Sequence, residues 1–267
     1  MTAVISTTYD HKYLYFLPIT VWLWHQLEVD TICFMPYLNT SEENKAIDLI
    51  NDTFREIGIK PQYAGYASPE HKTATYAQCL RNYAACLDLP DDEFIVTSDV
   101  DMALFQIPDY CISDTRFSVF GSDLVPEGQY PQCYITGKVK LWRDAFNLHG
   151  ITYQQAIDRL LGEDECQDYR GCRWSVDQEQ SFLNISKTVP YLIKRAREGT
   201  QFASKRYDRD DSFILDRLNP DTIDYHMNRP GYEPANFDII LQILSYHYPA
   251  EDFTWLINYT NEYKKLL

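Results

Sequence analysis

The sequence predicts an α/β fold, with a Rossmann-like mixed sheet flanked by helices in a single domain. Apolar strand-like runs alternate with helix-like segments over the first hundred residues, which favours a largely parallel sheet with right-handed crossovers. The fourth apolar run ends in two aspartates separated by one residue. The 267 residues are 45% hydrophobic and contain no glycine- or serine-rich linker and no internal repeat, so we expect one continuous domain.

The first hundred residues alternate between predicted strands and predicted helices. The strands cover residues 3–8, 30–36, 60–65 and 93–98, and the helices cover residues 13–27, 41–57 and 73–87. Pro18 must lie in the first turn of its helix or kink it. The helix over 41–57 has the clearest pattern. Ser41 can cap it, Gly58 can end it, and an apolar stripe follows one face at Ile47, Ile50, Phe54 and Ile57.

The pattern is less regular after residue 102. We predict a strand over 117–120, mixed structure over 137–148, a helix over 153–161 and a strand-like segment over 222–225. The last forty residues contain an apolar helix at 237–244, which we expect to pack on the sheet. The polar run over 205–211, with Asp208, Asp210 and Asp211, is predicted to be a solvated loop.

The strongest functional signal is the pair Asp99 and Asp101. Side chains alternate in an extended segment, so both carboxylates are expected to point one way while Val100 turns toward the core. Ligands of open α/β sheets bind at the carboxyl ends of strands, and hard oxygen donors suit Mg²⁺ or Mn²⁺ bridging a diphosphate. Close acidic spacing also arises by chance in an acidic chain. An EF-hand loop fits poorly, because Ala103 and Leu104 occupy its expected acidic and glycine positions.

Composition and charge limit the classes of partner. A net charge of −15 opposes nucleic-acid binding and suits an acidic protein that recruits a cation to handle nucleotides. No apolar stretch is long enough to span a bilayer, and the first residues lack a secretion signal, so we expect a cytoplasmic protein with no membrane span. Seven scattered cysteines without a Cys-x-x-Cys pair favour reduced thiols, although Cys166 and Cys172 could pair.

Four segments, in order along the chain, resemble glycosyltransferases of the GT-A fold. They are residues 78–81 with Arg81, 98–102 with the two aspartates, 174–184 with Asp177 and Gln178, and 226–232 with His226. The resemblance is to the glycogenin-like and related bacterial and viral families, including those of algal large DNA viruses. It implies a nucleotide-binding half over 1–102 and an acceptor-binding half with C-terminal helices over 103–267.

The resemblance implies a divalent cation, Mn²⁺ or Mg²⁺, held by Asp99, Asp101 and His226. Such an ion acts as a Lewis acid on the β-phosphate, and an imidazole ligand favours Mn²⁺. Arg81 would hold the nucleotide-binding loop or its phosphates. Arg229 stands where glycogenin-like enzymes tend to carry lysine and would contact the diphosphate. An ordinary histidine at 226 and an exposed loop arginine at 229 are the alternatives.

Further contacts to the nucleotide sugar follow from the same resemblance. Thr7, Thr8 and Tyr9 follow the first strand, where the fold receives base and ribose, and the expected donor is a UDP-sugar. These residues are equally compatible with polar groups that only end a strand. Gly137 resembles a small-residue turn beside the sugar. The alternative is that it lies in an ordinary turn. Gln178 would contact the donor sugar.

Asp177 is the candidate catalytic base. In an inverting transferase a carboxylate takes the proton of the acceptor hydroxyl as that oxygen attacks the anomeric carbon. Retaining relatives carry a similar segment without a nucleophilic role, and a helix cap is the structural alternative.

The predicted function is metal-dependent transfer of a monosaccharide to a hydroxyl of a glycan or glycoside. Twenty-one tyrosines and five tryptophans keep a non-catalytic carbohydrate-binding module open. Metal-dependent nucleotidyltransferases also use paired aspartates, but a Gly-Ser turn usually precedes the pair. In this chain Gly121-Ser122 follows the aspartates, so this class fits less well.

Overall fold

The computed structural model of the protein describes residues 1–36, 41–66, 73–107, 115–121, 125–162, 175–188, 193–195 and 206–267. The strands are β1 (Thr2–Ser6), β2 (Asp30–Pro36), β3 (Gln62–Tyr66), β4 (Phe94–Asp99), β5 (Met102–Leu104), β6 (Ser118–Phe120), β7 (Ile135–Lys138), β8 (Ile193–Arg195), β9 (Arg206–Asp208) and β10 (Asp224–His226). The helices are α1 (His11–Leu14), α2 (Leu17–Gln26), α3 (Ser41–Glu56), α4 (Thr73–Leu80), α5 (Val139–Ala145), α6 (Tyr153–Gly162), α7 (Val176–Thr188), α8 (Pro234–His247) and α9 (Thr254–Lys264).

The larger sheet has the strand order β3-β2-β1-β4-β7-β6-β8. The first four of these strands are parallel, whereas β7 runs antiparallel to both β4 and β6, and β8 is parallel to β6. The predicted Rossmann-like mixed sheet is therefore confirmed. Its register places Ser6 beside both Phe34 and Asp99, so the carboxyl ends of β1, β2 and β4 meet at one edge.

A smaller sheet, with the order β5-β10-β9, lies at the same end of β4. Within it, His226 pairs with Met102 of antiparallel β5 and with Asp208 of parallel β9. The prediction of a solvated loop over 205–211 is therefore wrong for Arg206–Asp208. Tyr207 explains the error, because its ring is only 6% exposed and packs in the core, which turns a polar-looking run into a half-buried strand.

The larger sheet is covered by helices on both faces, as predicted. Alternate residues of β1 point to opposite sides, with Ala3 and Ile5 in one hydrophobic cluster and Val4 in another. The first cluster takes buried residues from α2, α3, α8 and α9, and the second takes them from α4, α5, α6 and α7. The predicted C-terminal apolar helix is confirmed as α8, whose buried residues join the first cluster.

Several predicted helices differ from the structure in detail. The helix predicted over 13–27 is divided into α1 and α2, and Pro18 lies in the first turn of α2, where no backbone N–H is lost from the helix. The helix predicted over 73–87 changes at Arg81 into a 3₁₀ helix, Arg81–Cys86. Gly58 follows α3 with a φ of 70°, as expected for a helix end. The Ser41 side chain lies outside the described residues.

Two further predictions concern the thiols and the membrane. Cys33 is a buried free thiol, and burial raises its pKa to about 12. Cys166 and Cys172 lie outside the described residues, so their pairing is still a prediction. Of the helices in the described ranges, none has the length and apolar character needed to cross a bilayer.

Candidate functional site

The Asp-x-Asp pair lies between the two sheets. Asp99 is the last residue of β4, and residues 100–101 form a turn that leads into β5. The prediction of one extended segment with two parallel carboxylates is therefore wrong, because the turn interrupts the strand alternation. Val100 is buried in the first hydrophobic cluster as expected. The two carboxylates contact different partners.

Asp99 belongs to a group that we call the Arg81 cluster, formed by Arg81, Asp99 and Asp177. The Arg81 guanidinium donates to the Asp99 carboxylate through Nη1 and to Oδ2 of Asp177 through Nη2, the latter at 3.1 Å. Nη1 also donates to the Ser98 carbonyl at 3.0 Å. The side chains of Arg81 and Asp177 are only 4% and 3% exposed, whereas that of Asp99 is 37% exposed. Arg81 thus ties the end of β4 to α7.

Asp177 is fixed through its backbone as well as its carboxylate. Its carbonyl accepts hydrogen bonds from Asn82 Nδ2, Gln132 Nε2 and Ser181 Oγ at 2.9–3.3 Å, and its Oδ1 accepts from the Gln178 N–H at 2.9 Å. Burial raises the pKa of Asp177 to about 6, although the nearby Arg81 charge acts in the opposite direction. A carboxyl group with that pKa is both ionised and appreciably basic at neutral pH.

Asp101 belongs to a second group, the Asp101 cluster, formed by Asp101, Arg209, His226 and Arg229. All three partners approach one oxygen, Oδ2. The distances are 3.0 Å to Arg209 Nη1, 3.3 Å to His226 Nε2 and 3.3 Å to Arg229 Nε. The Asp101 side chain is 7% exposed, and those of its partners are 21–23% exposed. The cluster is therefore compact but open to solvent on its cationic side.

The small sheet sets the geometry of this cluster. Pairing of β5, β10 and β9 puts Met102, His226 and Asp208 side by side, and the Met227 N–H donates to the Asp101 carbonyl at 2.9 Å. His226 Nδ1 lies 3.8 Å from Asp208 Oδ2 on its other side. Burial lowers the pKa of His226, but its contacts with Asp101 and Asp208 outweigh burial, so the pKa is raised. Burial raises the pKa of Asp101, but its cationic partners outweigh burial and lower it.

A cavity of about 380 Å³ adjoins the Asp101 cluster. Its walls come from α1 and from the segments that follow β9 and β10, and are lined by Lys12, Tyr13, Arg209, Asp210, Arg229 and Pro230. The lining contains three cationic side chains and the Asp210 carboxylate; Lys12 also pairs with Asp10, and both arginines pair with Asp101. The Arg229 guanidinium also lies 4.8 Å from the Tyr13 ring centroid, a cation–π contact. The cavity can offer an anion only the N–H groups of these cations that Asp10 and Asp101 leave free.

The predicted base and ribose residues lie at the carboxyl end of β1. Thr7 is 2% exposed, its N–H donates to the Phe34 carbonyl at 3.2 Å, and its hydroxyl donates to the Thr8 carbonyl at 3.2 Å. The Thr8 hydroxyl accepts from the Asp10 N–H at 3.2 Å. Tyr9 is half-buried against the first hydrophobic cluster. Both hydroxyls thus have local structural partners at the edge where Asp99 lies.

Gly137 is not in a turn, and that prediction is wrong. It lies within β7 opposite Ile95, and a Cβ at this position would be 2.7 Å from Cδ1 of Phe117. Glycine is needed because the buried Phe117 ring packs directly against the strand. Gln178 lies in the first turn of α7, and its side-chain Oε1 is buried with no hydrogen-bond partner among the described residues. An unsatisfied buried acceptor of this kind is available to a ligand donor.

The donor types at this site fit a divalent cation. The Asp101 carboxylate and the His226 imidazole are in contact, and carboxylate oxygen with imidazole nitrogen suits Mn²⁺, whereas Asp99 at the end of β4 contacts Arg81. In the part of the chain that the structure describes, however, no three His, Cys, Asp or Glu side chains already form a metal-binding group. A cation at Oδ2 of Asp101 must therefore compete with Arg209 and Arg229 for that oxygen.

Sequence reasoning missed Arg209 and Lys12. Arg209 was included in the predicted loop over 205–211, and the parallel pairing of β9 with β10 that brings it to Asp101 has no local sequence signal. Lys12 follows the predicted base-binding segment, and only its position on α1 places it beside Arg229.

Comparisons with known proteins agree with this architecture. The galactosyltransferase LgtC, in complex with donor and acceptor sugar analogues, matches with a TM-score of 0.50 at 10% identity, over 92% of this chain and 96% of that one. The apo form of the glycosyltransferase GlyE from Streptococcus pneumoniae TIGR4 matches with a TM-score of 0.51 at 10% identity, over 99% of this chain but only 64% of that one. The sequence matches no protein-family model and no curated protein. The chain therefore has the fold of the GT-A-type glycosyltransferases.

Proposed function

We propose that the protein is a metal-dependent glycosyltransferase that moves a monosaccharide from a nucleotide sugar to a hydroxyl of a glycan or glycoside. The observation that carries this proposal is the convergence of Asp101, His226 and Arg229 beside a cationic cavity at the end of β4. The GT-A-type fold supports it, since that fold is shared with the glycosyltransferases LgtC and GlyE.

The cavity supports a donor with a diphosphate leaving group, and we assign a UDP-sugar. Its cationic groups Lys12, Arg209 and Arg229 can offset the negative charge that develops as the diphosphate departs. Asp99, Asp101 and His226 would hold Mn²⁺ or Mg²⁺, which when bound supplies further positive charge to the leaving group.

Residues at the same edge of the larger sheet would contact the other parts of the donor. Thr7, Thr8 and Tyr9 would receive the base and ribose at the end of β1, and Gln178 would offer its buried Oε1 to a sugar hydroxyl. Gly137 is not retained as a donor contact, because it pairs with Ile95 near the start of β4, away from Asp99.

Asp177 is the proposed base of an inverting reaction. A pKa of about 6 lets its carboxylate accept the acceptor proton at neutral pH. Its Oδ2 is held by Arg81, so the acceptor hydroxyl must reach the carboxylate from the side not taken by the guanidinium.

A retaining reaction is the second candidate, and one observation favours it. The Asp177 side chain is 3% exposed and both of its oxygens accept hydrogen bonds, which suits a residue that positions the donor sugar rather than one that takes a proton. The configuration of the product distinguishes the two reactions.

The test is a panel of nucleotide sugars screened by thermal shift and by transfer assay, each with and without Mn²⁺. We expect one UDP-sugar to raise the melting temperature more with Mn²⁺ than without it, and to be consumed when an acceptor glycoside is added. NMR of the fresh product then gives the anomeric configuration. Glycan binding that needs neither nucleotide nor metal, with no transfer from any donor, would contradict the proposal and favour a carbohydrate-binding module.

A further inference from the structure

We propose that Gln78 determines which sugar the protein accepts: its buried amide oxygen receives a hydrogen bond from one hydroxyl of the sugar carried by the nucleotide. The inference rests on the proposed function and deepens it, because it names a residue that discriminates between sugars. Gln78 lies on α4, three residues before Arg81. The family resemblance assigns a role to Arg81 and none to Gln78.

The first observation is a buried acceptor without a donor. The Gln78 side chain is half-buried, its Oε1 is shielded from solvent, and no described residue donates a hydrogen bond to that oxygen. The same holds for Oε1 of Gln178. Native proteins leave few buried polar atoms unsatisfied, so each such atom needs a reason. For an acceptor at the edge of a substrate site, the reason can be a donor that the substrate brings.

The second observation is that the backbone of Gln78 is held beside the Arg81 cluster. The Ser6 hydroxyl, at the end of β1, donates to the Ala77 carbonyl, and Arg81 Nε donates to the Gln78 carbonyl at 3.3 Å. Residues three apart on a helix share a face. Gln78 therefore lies on the face from which Arg81 reaches β4 and α7. The amide oxygen is carried by an anchored turn of helix, not by a loop.

The third observation is the set of acceptors around Arg81. Its guanidinium donates to protein oxygens through Nε, Nη1 and Nη2. Gln178 lies on the Asp177 side of the cluster, where its N–H donates to Oδ1 of Asp177. The region therefore presents two unpaired amide oxygens and the partly exposed Asp99 carboxylate. A sugar hydroxyl supplies the donor that these oxygens lack.

A buried acceptor of this kind gives strong discrimination between sugars. A sugar that lacks the matching hydroxyl leaves Oε1 of Gln78 unpaired in the bound state, and so it binds more weakly than the complete sugar. An apolar side chain at the same position would treat both sugars alike. The ratio of the two affinities therefore reports the hydrogen bond itself, because any general loss of binding cancels from it.

The experiment compares Gln78→Met with Gln154→Met, a matched control on α6. Methionine keeps the length of the side chain and removes the amide. The Gln154 side chain is exposed, and its Nε2 donates to Asp158 at 3.0 Å. Calorimetry measures the affinity of each protein for UDP, for UDP-glucose, for UDP-galactose, and for the deoxy analogues of both sugars, each of which lacks one hydroxyl.

We expect the wild type to bind one deoxy analogue about tenfold more weakly than its parent sugar, the loss that one hydrogen bond to a buried acceptor produces. In Gln78→Met that ratio should fall to about one, while the affinity for UDP stays within about twofold of the wild type. Gln78→Glu keeps an acceptor oxygen at the same distance from the helix, so it should keep the ratio. Gln154→Met should match the wild type with every probe.

An unchanged ratio in Gln78→Met would overturn the inference, as would equal losses with UDP and with every sugar, which would make Gln78 a structural residue. If Gln78→Met does not fold, the same ratio measured in Gln78→Ala gives the decision. These affinities need no transfer, so intact discrimination in Gln78→Met defeats the inference alone, and absence of transfer from every donor defeats the proposed function alone. A wild type that binds none of these UDP-sugars defeats both.

Discussion

The Arg81 cluster and the Asp101 cluster stand on either side of Val100, yet their surroundings differ. In the Arg81 cluster the guanidinium and the Asp177 carboxylate are 4% and 3% exposed. In the Asp101 cluster the carboxylate is buried, and the cations around it are 21–23% exposed and line a cavity. Asp99 and Asp101, although close in one short motif, therefore have different surroundings: the first is held by the buried Arg81, and the second lies beside the cavity.

The difference bears on how readily each charged group can leave its partner. A buried ion pair has little freedom to exchange partners, because each ion left alone in a dry site costs several kcal/mol. A partly exposed cation leaves its carboxylate at a smaller cost, since water can stabilise it once the contact is broken. We therefore expect the loss of Arg81 to act mainly on folding, and substitutions in the Asp101 cluster to affect binding and transfer more than folding.

The largest effect is expected for Arg81→Ala. It leaves the buried Asp177 carboxylate without its guanidinium, and breaking a buried pair from one side costs about 3–5 kcal/mol. Urea denaturation measures the loss. Arg55→Ala, which removes an exposed pair with Asp52, is the control and should cost less than about 1 kcal/mol. Equal losses in the two variants would show that the Arg81 cluster is not a structural tie.

The next largest effect is expected for Asp101→Asn. The substitution keeps the shape of the side chain but removes the charge that gathers Arg209, His226 and Arg229, so transfer should fall about 10²–10³-fold. The free energy of unfolding should fall by only about 1–2 kcal/mol, because the three cations are partly solvated. Steady-state kinetics and urea denaturation check the two values, with Asp211→Asn as the control. Retained activity would place the reaction elsewhere.

A smaller effect is expected from titration of the Asp177 carboxyl group, which should change kcat/KM by about tenfold per pH unit below its pKa. If it acts as a base, kcat/KM must rise as the pH increases through about 6, the raised pKa of the group, and Asp177→Asn should abolish that limb. Stability should change with the opposite sign. Between pH 6 and about 3.9 the folded protein holds a proton that the unfolded chain has released, so the contribution of this group to stability falls as the pH rises. A flat rate profile across pH 6 would favour the retaining alternative.

The smallest effect is expected for Tyr13→Leu. It removes the aromatic face under the Arg229 guanidinium, and a partly exposed cation–π contact contributes about 0.5–1 kcal/mol. Pyrophosphate should therefore bind about two- to fivefold more weakly, with Tyr246→Leu, an exposed tyrosine on α8, as the control. If Tyr13→Leu changes the free energy of unfolding but not the affinity for pyrophosphate, Tyr13 is a packing residue. The part of the cavity that binds ligand would then be limited to Asp101 and its direct partners.

The fold was predictable where local patterns were strong. The amphipathic stripe of α3 and the apolar runs of β1, β2 and β4 fixed the start of a parallel sheet, and Pro18 located a helix start. The strands of the small sheet were not predictable in full, because each has only three residues and depends on pairing with distant partners. The 3₁₀ turn at Arg81 also carries no sequence signal.

The site was predictable to the extent that a motif marks it. Arg81 contacts Asp99 and Asp177 at the end of β4, and His226 contacts Asp101 in the turn that follows. Their division into two clusters depends on a single turn at residues 100–101, which strand alternation could not reveal. Gly137 was misread because its close neighbour, the buried ring of Phe117, is distant in sequence.

The pairing of β5 with β10 also has a consequence for biosynthesis. His226 reaches Asp101 only after a loop of about 120 residues has closed, and the hydrogen bond from Met227 to the Asp101 carbonyl completes that closure. A nascent chain leaving the ribosome can form the parallel half of the large sheet long before Arg229 is translated. The carboxyl-terminal segment must then arrive last, and a fragment ending before residue 224 would lack His226, Arg229 and the apolar residues that α8 and α9 add to the first hydrophobic cluster, so it would have neither the cavity nor a complete core.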